Sequence, residues 1–243
     1  MAAPPDNDLL RAVGLHHGHH GSPVLADVTL GVRAGEILAV TGPRAGGKTT
    51  LLRCLSGQLV PDTGEIWFDE MPVHSLTPSQ RERFRREHLG WIDSEPHLVP
   101  ELSVWENAAL PLLLCGTPRR AAKAAAMEWL DRFDLGPLAR KRPHALAYAQ
   151  RQQVCVARAI AMEPAVILAD EPTVALRRPE RAHALRTLTS AARSHDITVV
   201  IATSDADTAS VADRTVRLSD GRADGEATDA PEQEGRAACS LSV

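Results

Sequence analysis

A short glycine-rich segment constrains the fold of this chain more than any other feature. Residues 42–49 read GPRAGGKT, which matches the pattern G-x-x-x-x-G-K-[ST]. An apolar stretch at 36–40 precedes the segment, and leucines at helical spacing follow it: Leu51, Leu52, Leu55 and Leu59. Strand, glycine loop and helix in this order are the context that the pattern requires, so the segment predicts a phosphate-binding loop.

The residue types in this loop explain how it would hold phosphate. Backbone N–H groups and the N-terminus of the following helix attract phosphate oxygens, and glycines let the backbone approach them closely. Lys48 would reach the outer phosphates, and the Thr49 hydroxyl would ligate magnesium. The other residues that we expect at the nucleotide are Gly42, Arg44, Ala45, Gly46, Gly47 and Thr50.

A second motif carries two carboxylates. Residues 165–172 read AVILADEP, an apolar strand that ends in Asp170 and Glu171. Asp170 is expected to hold the magnesium through water, and Glu171 to orient or deprotonate the attacking water as a general base. The alternative interpretation is that the two acids only solvate a loop.

Composition excludes several classes of function. The apolar content of 44% supports a sizeable core, and the net charge of -4 provides no basic field for nucleic acid. The four cysteines lack C-x-x-C spacing, which indicates thiols of a reducing compartment. No apolar run approaches the length of a membrane span, and residues 1–8 do not resemble a signal peptide. We therefore expect a soluble cytoplasmic chain without direct membrane insertion.

Buried apolar strands that alternate with helices predict the fold class. The pattern indicates an α/β fold with a mainly parallel sheet, preceded by strands at 9–34. A helical stretch at about 75–160 lies between the two motifs and is predicted to form an inserted helical subdomain. We expect one domain over residues 1–222 and a disordered acidic tail at 223–243.

The chain resembles the ATPases of ATP-binding cassette (ABC) transporters over about residues 9–222. The resemblance is carried by the two motifs and by the stretches 55–57, 61–66, 89–91, 104–107 and 156–159. The sequences at 106–107 (EN) and 110–112 (LPL) most resemble those of the macrolide-export and lipoprotein-release branch. The resemblance implies a P-loop NTPase core with an N-terminal antiparallel β subdomain, and ATP and Mg²⁺ as ligands. It also implies a second ATPase subunit, in a homo- or heterodimer, and a separate membrane permease at the inner face of the cell membrane.

The signature segment departs from the family pattern. Residues 146–150 read LAYAQ where the family has Leu-Ser-Gly-Gly-Gln, a loop that contacts the ATP held by the other subunit. Ala147 has no hydroxyl, and Tyr148 places a ring where a glycine would let the backbone approach phosphate. The loss of one charge-assisted phosphate contact costs roughly 1.5–3 kcal/mol.

Three further positions depart from the same pattern. Ser94 stands where the family has a glutamine, Arg177 where it has an aspartate facing the partner subunit, and Ser204 where it has a histidine on the γ-phosphate. The loss of a positioned transition-state contact lowers the rate by about 10²–10³. For Ser94 a one-residue misalignment stays open, because the stretch 91–96 is atypical.

A run of histidines invites two interpretations. Residues 16–20 read HHGHH, and His17 aligns with the family residue that stacks on adenine. We expect a solvated loop with His17 stacked on the base, and metal capture by the imidazoles remains the alternative.

These features leave three hypotheses for function. The first is a transporter ATPase subunit that binds MgATP, hydrolyses it slowly and drives a separate membrane permease. The second is a catalytically impaired pseudo-ATPase that serves as the regulatory or structural half of a heterodimer. The third is a non-transport ATPase of the same family or another phosphate-loop enzyme.

Overall fold

The computed structural model describes residues 8–19 and 22–229 of the 243-residue chain, with side chains described up to residue 223. Its strands are β1 (Asp8–His19), β2 (Ser22–Arg33), β3 (Ile37–Thr41), β4 (Thr63–Phe68), β5 (Met71–Pro72), β6 (Leu89–Ile92), β7 (Val166–Asp170), β8 (Thr198–Thr203), β9 (Arg214–Ser219) and β10 (Arg222–Asp229). Its α-helices are α1 (Lys48–Leu55), α2 (Pro78–His88), α3 (Val104–Leu114), α4 (Arg119–Arg132), α5 (Tyr148–Ile160), α6 (Arg178–Ser194) and α7 (Ala206–Ala209).

A six-stranded sheet forms the centre of the molecule. Its strand order is β10-β9-β3-β8-β7-β6, and every neighbouring pair is parallel except β9 and β10. The predicted α/β class with a mainly parallel sheet is therefore confirmed. Strands β3, β7 and β8 lie side by side, so their carboxyl ends meet at one edge. That edge is where ligands bind in open α/β sheets.

A second, antiparallel sheet lies at the amino-terminal side of the chain. Its strand order is β2-β1-β4-β5, which confirms the predicted N-terminal antiparallel β subdomain. Its buried residues Leu15, Leu25 and Val28 pack in one cluster with Leu51 and Leu52 of α1. Full burial of one such side chain contributes about 1.5–3 kcal/mol, so this cluster holds the helix behind the phosphate loop against both sheets.

The central sheet separates two hydrophobic cores. Ile37 and Ala39 of β3 belong to the core that contains α3 to α6, whereas Leu38 and Val40 belong to the core that contains α1. Successive side chains of a strand point to opposite faces, so the continuous apolar run of β3 is the pattern of a strand covered on both sides.

Four helices lie in the stretch that was predicted as an inserted helical subdomain. The range 75–160 contains α2, α3, α4 and α5, and it also contains β6, which pairs with β7 at the edge of the central sheet. The chain thus leaves the sheet after β6 and returns to it at β7.

The predicted tail begins too early. Residues 222–229 form β10, which pairs with β9, although residues 223–243 were expected to be disordered. Asp220 and Gly221 both have positive φ, 49° and 74°, and join the two strands as a two-residue turn. Asp-Gly is a favoured hairpin turn, and this signal was outweighed by the polar composition that follows. The remainder of the predicted tail, 230–243, lies outside the described residues.

Candidate functional site

Two glycines shape the loop between β3 and α1. Gly42 has φ 153°, and a Cβ atom there would overlap the carbonyl oxygen of Leu218. Gly47 has φ 94°, and a Cβ atom there would lie 2.7 Å from the carbonyl oxygen of Val24. Any other residue would therefore push the loop away from the strands behind it, which explains why the sequence has glycine at both positions.

Lys48 is held at the mouth of this loop. Its side chain is only 6% exposed, and its Nζ donates to the carbonyl oxygens of Gly42 at 3.0 Å and Pro43 at 2.9 Å. The same ammonium lies 3.8 Å from Glu171 Oε1. A buried ammonium with carbonyl and carboxylate partners supplies positive charge at the point where the loop would receive phosphate.

Asp170 is held by Thr49. Thr49 Oγ1 donates to Asp170 Oδ2 at 2.7 Å, whereas the buried Oδ1 has no hydrogen-bond partner among the described residues. Burial raises the pKa of Asp170; the Thr49 hydrogen bond opposes this shift, and the nearby Glu171 carboxylate adds to it. A hydroxyl beside a carboxylate with a free oxygen is a donor set that suits a hard divalent cation such as Mg²⁺.

Glu171 is attached to the end of β8 at three points. Its backbone N–H donates to Ala202 O at 2.8 Å. Its Oε1 accepts from the backbone N–H of Ser204 at 2.8 Å, and its Oε2 accepts from Thr203 Oγ1 at 3.2 Å. Glu171 also has φ 44°, a strained value for a residue with a side chain, and such strain persists where the surroundings over-determine the conformation.

The structure brings four of the predicted site residues together. Lys48 and Thr49 come from the start of α1, and Asp170 and Glu171 come from the end of β7. The other predicted loop residues, Gly42, Arg44, Ala45, Gly46, Gly47 and Thr50, belong to the same loop and first helical turn. This cluster can bind an anion and a divalent cation, and it provides a carboxylate base beside them.

His17 lies beside this cluster. It pairs with Leu25 across β1 and β2. The Leu25 side chain lies against the phosphate loop, since a Cβ atom added to Gly47 would be 3.1 Å from Leu25 Cδ2. His17 Nδ1 is 3.6 Å from Asp62 Oδ1, and a cavity of about 400 Å³ adjoins both residues. Among residues 8–19 and 22–229 no group of three or more metal-ligating side chains is assembled, and His20 of the histidine run lies outside that part.

The altered signature segment begins helix α5. Ala147 precedes the helix, and its backbone N–H donates to Gln150 Oε1 at 3.0 Å. Tyr148 is 39% exposed, and the Arg151 guanidinium lies 5.5 Å from the centre of its ring. The surface at this point is therefore an aromatic ring rather than an accessible backbone.

The other departures lie on loops around the same edge of the sheet. Ser94 follows β6, and Ser204 is exposed immediately after β8. Arg177 is exposed before α6, where its backbone N–H donates to Glu180 Oε2 at 3.0 Å. At position 204 the contact with Glu171 is made by the backbone, so it does not depend on a histidine side chain.

Two residues at the site were missed by the sequence analysis. Gln152 of α5 is buried and donates through Nε2 to Asp93 O at 2.7 Å and to Pro172 O at 3.1 Å. Thr203 is buried and contacts Glu171. Gln152 lies two residues beyond the signature segment, and Thr203 directly precedes Ser204, so adjacency to a recognised motif was the available signal for both.

The sequence and the fold have close relatives among known proteins. A family model described as "ABC transporter" matches residues 25–174. The lipoprotein-releasing system ATP-binding protein LolD of Paramagnetospirillum magneticum is 38% identical, over 82% of this chain and 88% of that protein. The macrolide export ATP-binding/permease protein MacB of Rhodopirellula baltica is 35% identical, over 84% of this chain but only 30% of that protein.

Solved structures of ATP-binding cassettes have a fold similar to that of this chain. A bacterial ABC transporter cassette in a dimeric structure has a TM-score of 0.84 and 27% identity, covering 90% of this chain and 98% of that one. A dimeric cassette in a post-hydrolysis state bound to ADP and Pi has a TM-score of 0.83, with the same identity and coverage. Within the described residues, no helix has the length and apolar character needed to cross a membrane.

Proposed function

The chain belongs to the ABC transporter family, in the branch of the LolD and MacB ATP-binding proteins, and we propose that it binds MgATP and hydrolyses it slowly to drive a separate membrane permease. The observation that carries this proposal is the joining of Thr49 to Asp170 next to Lys48, because the two halves of an ATP site come from distant parts of the sequence.

The loop residues bind the phosphates of the substrate ATP. Backbone amides of the loop and the start of α1 face the phosphate oxygens, and the Lys48 ammonium exchanges its carbonyl partners for phosphate. The pocket beside His17 receives the base, and the imidazole stacks on it. The remaining contacts come from Gly42, Arg44, Ala45, Gly46, Gly47 and Thr50.

Thr49 and Asp170 are the residues that would hold magnesium. The unpartnered, buried Oδ1 of Asp170 and the Thr49 hydroxyl are the groups that would hold it. When bound, magnesium supplies positive charge that neutralises the phosphate oxygens during transfer.

Glu171 acts as the catalytic base. Its carboxylate accepts the proton of the attacking water and orients that water towards the γ-phosphate. Ser204 lacks an imidazole to contact the γ-phosphate, which is the reason that turnover is slow.

The proposed transport activity requires two partner proteins. A second ATPase subunit, either another copy or a different cassette, lends its signature segment to the ATP held here. In a homodimer both ATP sites would face the altered segment 146–150, and in a heterodimer only one would. A membrane permease recruits the chain to the inner face of the cell membrane, a partner that the similarity to the LolD and MacB proteins supports.

Equilibrium binding of ATP with Mg²⁺ tests the proposal. Lys48→Ala is expected to weaken ATP binding at least tenfold, since a charge-assisted phosphate contact contributes about 1.5–3 kcal/mol. The matched control is Lys123→Ala, which removes an exposed lysine on α4 and should leave the affinity within twofold of the starting protein. Equal affinity of all three proteins for ATP would refute the assignment of the loop.

A further inference from the structure

Thr203 joins the carboxylate of Glu171 to the start of helix α7. The Thr203 hydroxyl donates to Glu171 Oε2 at 3.2 Å and accepts from the backbone N–H of Asp205 at 3.1 Å. The side chain is 1% exposed, so water does not compete for these bonds. A hydroxyl has one proton, and the Asp205 N–H already occupies one of its lone pairs. The Thr203 proton is therefore directed at the carboxylate.

The Thr203 hydroxyl and the Ser204 amide restrain different oxygens of Glu171. Ser204 N–H holds Oε1 at 2.8 Å, and Thr203 holds Oε2. One hydrogen bond would leave the carboxylate free to rotate about its last torsion, whereas two bonds from one strand end fix its plane. Such torsions are otherwise broad.

The segment that provides these two bonds is itself anchored. The Asp205 carboxylate accepts from Thr208 N at 3.0 Å, from Thr208 Oγ1 at 2.6 Å and from Arg181 Nη1 at 2.9 Å. Thr208 in turn contacts Thr173 Oγ1 at 2.9 Å, two residues beyond Glu171. The end of β8, the start of α7 and the segment after Glu171 therefore form one connected hydrogen-bond network.

We propose that Thr203 is a positioning residue for the reaction, in that its hydroxyl fixes the carboxylate of Glu171 towards the attacking water. This inference rests on the proposed role of Glu171 in ATP hydrolysis. It also explains how Glu171 keeps its orientation in a chain with serine at position 204, since that residue contributes its backbone and Thr203 contributes the side chain.

Thr203→Val and Thr203→Ser test the proposal. Valine keeps the shape and removes the hydroxyl, whereas serine keeps the hydroxyl. Phosphate release is expected to show a kcat about tenfold lower for Thr203→Val, with KM for ATP within twofold, and a kcat within about threefold of the starting protein for Thr203→Ser. A kcat that is unchanged in Thr203→Val, or that falls equally in both variants, would overturn it.

Thr198→Val is the matched control. Thr198 begins the strand that Thr203 ends and is equally buried, and its hydroxyl also makes two hydrogen bonds, but both are to backbone groups, Gly35 N and Arg33 O. Its replacement should lower the unfolding temperature as much as Thr203→Val does while leaving kcat within twofold. If Thr198→Val lowers kcat as strongly, the effect of Thr203 is merely structural and the inference fails.

A second measurement does not depend on turnover. The urea midpoint is compared for Thr203→Val in the starting protein and in a Glu171→Ala background. If the hydroxyl acts on the carboxylate, the second shift is at most about half of the first, because the two side chains are coupled. Equal shifts contradict the proposal. If the starting protein releases phosphate no faster than Lys48→Ala, the proposed function is contradicted, and the urea cycle would still show whether the Thr203 hydroxyl is coupled to the Glu171 carboxylate.

Discussion

Thr49 Oγ1 donates a 2.7 Å hydrogen bond to Asp170 Oδ2, which joins two residues that are 121 positions apart in the sequence. This bond satisfies one oxygen of a buried carboxylate and leaves Oδ1 without a partner among the described residues. The arrangement is unfavourable for folding and favourable for a cation, which is typical of a site whose ligand supplies the missing interaction.

Asp170→Asn tests the state of this carboxyl. Burial raises the pKa of Asp170 above its unfolded value, so the folded chain holds a proton that the unfolded chain releases. The contribution of Asp170 to stability is fully present below the unfolded pKa and is lost as the pH rises through the folded pKa. Without nucleotide and magnesium, the starting protein should therefore lose stability relative to Asp170→Asn as the pH rises from about 4, near the ordinary pKa of an aspartate, towards neutrality.

The unfolding temperatures of both proteins across this range check the prediction. A difference between Asp170→Asn and the starting protein that moves in the opposite direction would mean that the folded state stabilises the charged carboxylate.

Glu171→Gln tests the catalytic base. Glutamine keeps the length and one acceptor oxygen but does not take a proton from water. Phosphate release should fall by about 10²–10⁴, with ATP affinity within a few-fold of the starting protein. Glu128→Gln, an exposed change on α4, should leave both quantities unaltered. A variant that still releases phosphate at the original rate would remove Glu171 from the mechanism.

Ser204→His tests the reason for slow turnover. An imidazole at this exposed position after β8 would reach a γ-phosphate that the serine hydroxyl does not. The rate of phosphate release is expected to rise by about 10²–10³, the effect of one transition-state contact. Ser210→His adds the same side chain at the end of α7 and should produce no gain. The absence of any gain at position 204 would show that another step limits the rate.

The double variant Ala147→Ser with Tyr148→Gly tests the altered signature segment. It restores a hydroxyl and an accessible backbone at the start of α5, so ATP-dependent self-association should strengthen at least tenfold. Glycine in the helix costs at most about 1 kcal/mol, whereas serine in place of alanine at the N-cap of α5 contributes about 1 kcal/mol, so the unfolding temperature should change little. Sedimentation with and without ATP measures the association, and equal dimer fractions for both proteins in ATP would contradict the prediction.

Local motifs made part of the site predictable. Lys48 and Thr49 follow from a contiguous loop pattern, and Asp170 and Glu171 end an apolar strand. The alternation of buried strands and helices predicted a mainly parallel sheet, and the structure places both motifs at one edge of it. The prediction therefore needed no knowledge of contacts between distant residues.

Other features depended on such contacts. The bond from Thr203 to Glu171 spans 32 residues, and the local sequence shows only that Thr203 adjoins Ser204, not that it contacts Glu171. Gln152 reaches Asp93 and Pro172 from a helix that the sequence predicted only as a helix. Strand β10 was not predicted. The polar composition after residue 222 indicated disorder, and the two-residue turn Asp220-Gly221 is too short a signal to predict a strand against it.

A single-turnover assay tests the central claim most directly, namely that this chain has a sound MgATP site with an impaired rate of hydrolysis. The purified protein, in excess over ATP labelled on the γ-phosphate, is followed for bound ATP and released phosphate. We predict that the ATP is bound and is converted at less than about 0.1 s⁻¹, roughly 10² below a typical enzyme, and that Lys48→Ala lowers both signals, with ATP bound at least tenfold more weakly. Conversion at about 10 s⁻¹, or the absence of bound ATP in the unsubstituted protein, would contradict the account.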